Sequence, residues 1–515
     1  MMKTLPIGIQ DFIQIQQGNM LYVDKTARLL ELVKNGRRYF LSRPRRFGKS
    51  LTVSTLDAMF SGKTDLFAGL AAEEWVKAQS KHPFNVLRFD MSMIDIQTPQ
   101  IMRQSLQEVV LRQAERLGVK IRSQTLNGMF TDLIIGLSPV VVLIDEYDKP
   151  ILDNLSDINK ANAVREVLRG FYTTLKSCDE YVRFVFMTGI SKFSKMGVFS
   201  AINNLEDISM DKRFGDIVGY TQNELEFYFD DRLNSIAADM EISREKLLER
   251  LKDYYDGFSF DGKTRIYNPF SILQCLQKSE FNNYWYESGS PSFIVNWMKD
   301  HQILDPEEYR HIKVTNDFIS SQEIEHADAP SFLYQSGYLT IEKKEGQLLT
   351  LDYPNKEVLN SLSSMYLKLV YRVKNYAGLG FDIWQALKVG DINKIVELYN
   401  IALAGIPYDD FSLNRNEFWY RSMFMMLLRG VGIISYAEIH TYKGRCDLLV
   451  QFQDLIVVLE FKFAAKSSEV EKMREEGQAQ LQDREYTKSY QNVITAVLVA
   501  DDQKRQIVVS MCYFD

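Results

Sequence analysis

The chain holds 515 residues, of which 46% are hydrophobic; this is material for roughly two to four cored domains, while a formal net charge of −7 gives the whole molecule no electrostatic attraction to nucleic acid or anionic membrane. Cys178, Cys275, Cys446 and Cys512 are widely spaced and form no C-x-x-C pair, which argues against a disulfide framework or a zinc knuckle. The first residues, Met1 to Pro6, carry no apolar signal core, and no stretch approaches the roughly 20 apolar residues that span a bilayer, so the expectation is a soluble, cytoplasmic protein without membrane contact.

From about residue 20 to residue 225, strand-like runs alternate with amphipathic helical ones, the pattern of a parallel sheet covered on both faces. The first strand is Arg38 to Ser42, and Arg43-Pro44-Arg45-Arg46-Phe47-Gly48-Lys49-Ser50 follows it into a helix. The closing Gly-Lys-Ser fits the phosphate loop G-x-x-x-x-G-K-[ST], with Arg43 standing where the first glycine would be. In that reading the loop from Arg45 through Arg46, Phe47 and Gly48 lends backbone N–H groups to phosphates, Lys49 reaches the β/γ oxygens and Ser50 binds Mg²⁺.

Further strands are expected at Val86 to Asp90, Val140 to Asp145 and Val182 to Thr188. The third delivers Asp145-Glu146 to the carboxyl edge of the sheet, where ligands of open α/β sheets bind. Asp145 is the candidate Mg²⁺ holder there, and Glu146 the group that orients or deprotonates the attacking water. The expected first domain is therefore residues 1–225, a P-loop NTPase sheet domain that binds ATP.

Residues 226–375 read as a mostly helical lid or connector, with turns at Asp256-Gly257, Asp261-Gly262 and Asn268-Pro269. Within it, Ser331 to Thr350 has the order of a helix end running into a hairpin, suited to a small winged-helix element. In residues 376–515, Gly444 to Val450 and Leu455 to Lys462 read as two strands joined by a turn, presenting Asp447, Glu460 and Lys462. Alternation puts Glu460 and Lys462 on one face and Phe461 on the other. Two carboxylates supply hard oxygen ligands for Mg²⁺ or Mn²⁺, and Lys462 steadies water or developing charge, a workable phosphodiesterase site. Glu417, on helical text upstream, is an outer carboxylate candidate; Gln480 and Tyr486 are candidates for contacting the site or a nucleic-acid backbone.

At these residues the chain resembles a bacterial family that joins an N-terminal AAA-ATPase-like domain to a C-terminal nuclease-like domain of the PD-(D/E)xK superfamily. The likeness runs through Tyr22-Val23-Asp24-Lys25-Thr26, the loop 43–50, Leu143 to Asp148, Thr188-Gly189-Ile190-Ser191-Lys192, Tyr255-Asp256-Gly257-Phe258 and Tyr267-Asn268-Pro269. The resemblance makes Arg43 normal, places Thr188 where related ATPases hold a γ-phosphate sensor with Lys192 close behind, and assigns Asp447, Glu460 and Lys462 to the nuclease triad, with a restriction-endonuclease-like α/β fold. It implies ATP and Mg²⁺ as ligands and DNA or RNA as partner, and leaves homo-oligomer formation open; Arg213 is the candidate arginine finger, balanced by its reading as a surface residue. The leading expectation is an ATPase whose nucleotide state controls a metal-dependent nuclease, in defence against foreign nucleic acid. A nucleotide-dependent switch or scaffold that binds a partner without cutting is the alternative, and a helicase-like motor lacks a second recognisable motor core.

Overall fold

The structure is a computed structural model that describes the chain except residues 1, 156, 193–203, 288–305, 320–327, 371–372, 374–375, 407–414, 442–443, 484–491 and 513–515. It divides into two compact units, Met1–Gly289 with His311–Lys356, and Ser290–Arg310 with Glu357–Asp515.

The first unit is built on a parallel sheet of β1 (Arg38–Ser42), β2 (Asn85–Asp90), β3 (Val140–Asp145), β4 (Val182–Gly189) and β5 (Glu206–Asp207), in the order β2-β3-β4-β1-β5. All six residues of β3 are buried, because both faces of a parallel sheet are covered. Successive side chains point to opposite faces. Val140, Val142 and Ile144 join Leu87, Phe89, Val185 and Met187 in a core with the helices Pro99–Leu117, Leu126–Gly136 and Ile158–Ser177. On the other side, Phe184 meets Phe60 of the helix Lys49–Phe60, ring centroids 5.0 Å apart. Pro99–Leu117 has its limits written locally. Thr98 caps it by accepting from the Ile101 N–H, proline opens it, and Gly118 closes it at φ +70°.

The expected four strands are present, and β5 adds a short fifth, paired with β1 through Tyr39↔Glu206 and Phe40↔Asp207. A second apolar cluster joins Leu225, Leu233, Leu247, Leu251, Ile272 and Leu276 from the helices Gln222–Tyr228, Asp230–Asp239, Arg244–Tyr255 and Pro269–Lys278. The expected helix and hairpin follow as Ala329–Ser336, β7 (Thr340–Glu345) and β8 (Leu348–Asp352), with β6 (Ile312–Thr315) completing an antiparallel sheet β6-β8-β7. His311 Nδ1 lies 2.8 Å from Glu342 and 3.5 Å from Asp352, a polar cluster that ties the three strands at one end.

The second unit carries the mixed sheet β13-β12-β11-β10-β9, formed by β9 (Ile434–Thr441), β10 (Gly444–Phe452), β11 (Leu455–Ala464), β12 (Val493–Asp501) and β13 (Gln506–Cys512). Only β11 and β12 are parallel, and the helix Val470–Asp483 makes the crossover between them. The helix Glu417–Gly430 meets the phenylalanines of β11, with Phe424 to Phe461 at 5.8 Å and Tyr420 to Phe463 at 6.3 Å. Among the described residues no helix is long and apolar enough to cross a membrane.

Candidate functional sites

In the first unit, parallel pairing brings the carboxyl ends of β1, β3 and β4 to one edge of the sheet. The loop from β1 to the helix Lys49–Phe60 turns through two left-handed residues, Arg46 at φ +70° and Gly48 at φ +93°. Such a turn points successive N–H groups inward, which suits an anion. Side chains pin the loop from outside. Phe47 is buried edge-on against Phe258 (4.9 Å) and Phe260 (5.6 Å), and the Arg46 guanidinium lies 4.8 Å above the Phe270 ring. Arg45 remains partly exposed beside Lys49.

The departure from glycine at Arg43 has a structural cause. Arg43 is not among the left-handed residues, so a side chain there carries no backbone strain. Its guanidinium donates to the carbonyls of Ser42 (2.9 Å) and Ser209 (2.6 Å) and covers the Phe260 ring at 4.1 Å. Burial pushes its pKa down to about 10.

Lys49 is buried and donates to the carbonyls of Arg43 and Pro44, both at 2.9 Å. Burial lowers its pKa, and Asp145, Glu146 and Asp148 oppose that. The Ser50 hydroxyl stands beside Asp145, whose pKa is raised by burial against the influence of Ser50 and Lys49. Glu146 takes φ +49° and donates its N–H to Asp145 Oδ1 at 3.0 Å. Its pKa is raised too, by burial and then by its acidic neighbours, while Lys49 opposes the shift. A hydroxyl and a carboxylate held together at a sheet edge beside a lysine are the donor set Mg²⁺ and phosphate require.

Thr188 lies inside β4, fully buried, with its hydroxyl donating to the Leu41 carbonyl at 2.9 Å. Its side chain is thus engaged within the sheet. Lys192 is buried and pairs with Asp207 at 2.9 Å. Arg213 is about half exposed and binds Asp211 and Glu206, which fits a surface ion-pair cluster. Asp148 was given no role by sequence reasoning, yet it is buried and accepts from Ile190 and Ser191. Its presence in the Leu143 to Asp148 phrase was the available signal.

In the second unit, the β10–β11 ladder runs from Phe452↔Leu455 to Leu448↔Leu459, and beyond it Asp447 Oδ2 accepts the Phe461 N–H at 2.9 Å. Glu460 is fully buried and pairs with Lys462 at 3.0 Å, while Phe461 packs on the opposite face. Asn416 caps the helix Glu417–Gly430 by accepting from the Trp419 N–H, which sets Glu417 at its first turn. The Glu417 pKa is raised by burial, with Lys462 opposing and Asp447 adding to the shift. The structure therefore gathers Glu417, Asp447, Glu460 and Lys462. One turn on from Glu417, Arg421 places Nη1 3.9 Å from Asp447 Oδ1, a neighbour the sequence reading missed. Gln480 follows Gly477 by one turn, and a Cβ at Gly477 would lie 3.4 Å from Lys462 Cγ, so the crossover helix passes close to the site. Tyr486 lies outside the described residues.

Fold and sites together define a protein with an AAA-ATPase-like domain and a C-terminal nuclease-like domain. Residues 6–199 match a family described as predicted AAA-ATPase, and residues 415–510 match the PD-(D/E)XK nuclease superfamily. The chain is also 34% identical over 507 residues to "Uncharacterized protein in vnfD 5'region" of Azotobacter chroococcum mcd 1, covering 95% of this chain and 94% of that protein. It belongs to the family that couples these two domains in one polypeptide.

Proposed function

We propose that the protein binds and hydrolyses ATP in its first unit, and that its nucleotide state regulates a metal-dependent nuclease acting on DNA or RNA, in defence against foreign nucleic acid. The observation that carries the ATPase half is the convergence of Lys49, Ser50, Asp145 and Glu146 at the carboxyl edge of β1 and β3. In this reading the loop 45–48 wraps the phosphates with backbone N–H groups, and Lys49 exchanges the Arg43 and Pro44 carbonyls for phosphate oxygens. Ser50 and Asp145 would hold Mg²⁺, which would neutralise phosphate charge. Glu146, facing the same edge, orients the attacking water and accepts its proton.

In the second unit, Asp447 and Glu460 are the proposed ligands of Mg²⁺ or Mn²⁺, with Glu417 outside them. The bound ion supplies a polarised phosphoryl oxygen and a more acidic water. Lys462, paired with Glu460, would steady the attacking water or the developing charge. We assign the three stretches 1–225, 226–375 and 376–515 to ATPase, connector and nuclease parts in this scheme, with Thr188 a secondary candidate for sensing the γ-phosphate.

The test is direct. Wild-type protein is expected to hydrolyse ATP and, with Mn²⁺, to cleave DNA or RNA. Unchanged ATP turnover in Lys49→Ala sinks the first half, and equal cleavage by Glu460→Ala sinks the second. The alternative, a switch whose C-terminal domain binds a partner without cutting, draws on the protein partners that Asp447 and Glu460 already have. Calorimetry with no Asp447-dependent Mn²⁺ site would favour it.

A further inference from the structure

Asp148 takes no part in the chemistry proposed above, yet it is the most heavily bonded carboxylate at the sheet edge. It is 1% exposed and accepts from the backbone N–H groups of Ile190 (3.1 Å) and Ser191 (2.6 Å) and from the Ser191 hydroxyl (2.7 Å). The turn that carries it is tied to the same segment twice more. Tyr147 donates its N–H to the Thr188 carbonyl at 3.0 Å and its hydroxyl to the Ser191 carbonyl at 2.7 Å. The two chains cross so closely that a Cβ on Gly189 would lie 2.5 Å from both Asp148 Oδ1 and Tyr147 Cδ1. The next amide, Lys192 N–H, donates to Gln335 Oε1 on the helix Ala329–Ser336, so the segment is held from both sides.

A buried carboxylate is costly unless several donors converge on it, and bonds to a charged acceptor are the strong kind. Here all of that bonding goes into fixing one short segment against one turn. Two residues earlier on that turn is Glu146, held at φ +49°, a conformation that persists only when its surroundings enforce it. We infer that Asp148 is a positioning residue for ATP hydrolysis, joining the Ile190–Lys192 segment to the Asp145–Glu146 turn so that the two loops at the phosphate edge move as one piece.

The inference rests on the ATPase reading and is tested on the full chain. Asp148→Asn keeps the side chain's shape but turns an amide toward N–H groups that need an acceptor. Its kcat for ATP is expected to fall about tenfold or more, with KM and the affinity for a non-hydrolysable ATP analogue within about twofold, because Lys49, Ser50 and Asp145 are untouched. Ser191→Ala, which deletes one of the three bonds, is expected to lower kcat about fivefold at unchanged KM. Wild-type kcat in Asp148→Asn overturns the inference, as does a parallel loss of kcat and affinity in both variants. Should Asp148→Asn not fold, Ser191→Ala decides alone by the same split. A wild-type protein that hydrolyses no ATP removes the parent reading instead, and is recognised because wild type and variants are then equally silent.

Discussion

At the N-terminal site Asp145 and Glu146 meet one hydroxyl and one lysine beneath a loop of backbone N–H groups, whereas at the C-terminal site Glu417, Asp447 and Glu460 surround Lys462 and Arg421. The first arrangement supplies its positive charge from Lys49 and the peptide backbone, which in the proposed function makes it a receptor for an anion that brings its own cation. The second sets Lys462 and Arg421 against three carboxylates, and in the proposed function those carboxylates take a metal ion as well as a phosphate. In that proposal the same elements of recognition, carboxylate and lysine, are ordered differently: phosphate first in one unit, cation first in the other.

The largest effect expected from breaking this contrast is at Lys49. Lys49→Ala removes the side-chain cation that stands beside Asp145, Glu146 and Asp148, and ATP turnover is expected to fall by about 10²–10³-fold. Mn²⁺ titration of the same variant should be indistinguishable from wild type, because the cation-first site lies in the other unit. Next comes Glu460→Gln, which keeps the shape of a fully buried side chain and deletes its charge. Mn²⁺ affinity measured by calorimetry is expected to fall about 10–100-fold, with metal-dependent cleavage lost and ATP turnover retained. Loss of ATP turnover in Glu460→Gln as well would contradict the separation.

Much of this was legible in the sequence where a short stretch carries its own signal. Val140 to Asp145 is an unbroken apolar run ending in an acid, and it is a buried strand whose last residue reaches the edge. Glu206–Asp207 could not be read that way. It is two polar residues long, and its strand character comes from β1 and from the Ile208 N–H bonded to the Phe40 carbonyl, partners 167 or 168 residues away. The same limit applies to side chains. Lys49 announces itself by its neighbours in the loop, but Arg43 acts through Ser209 and Phe260, Asp148 through Ser191, and Arg421 through Asp447. The phrases Tyr255 to Phe258 and Tyr267 to Pro269 gain their meaning only in space, as Phe258 meets Phe47 and Asn268 caps the helix that carries Phe270.

A pH profile sharpens the N-terminal half of the contrast. Burial and the charges of Asp145, Asp90 and Asp148 raise the Glu146 pKa above the usual glutamate range. Below that raised value the side chain carries its proton and cannot accept one from water. The ATPase rate should therefore fall with decreasing pH at a higher pH than an exposed glutamate would give, and Glu146→Gln should lose this limb along with about 10²-fold of its rate. A limb that persists in Glu146→Gln would assign the titration to another group.

The smallest effect tests whether the outer supports of the phosphate loop matter at all. Asn268 is fully buried, and its Oδ1 accepts from the N–H groups of Phe270 (3.0 Å) and Ser271 (3.2 Å), capping Pro269–Lys278. Asn268→Ala leaves those first-turn donors without an acceptor and is expected to cost about 1–2 kcal/mol, read as a lowered urea midpoint of the first unit. Phe270 carries the Arg46 guanidinium, so loosening the first turn should also loosen the left-handed corner at Arg46. The expected result is a rise of a few-fold in KM for ATP with kcat nearly unchanged, since Glu146 stands in the turn after β3 and not on this helix. Mn²⁺ binding in the second unit should not move. A fall in kcat at constant KM would instead mean that the cap supports the hydrolytic edge, and that the loop is held by Phe47 alone.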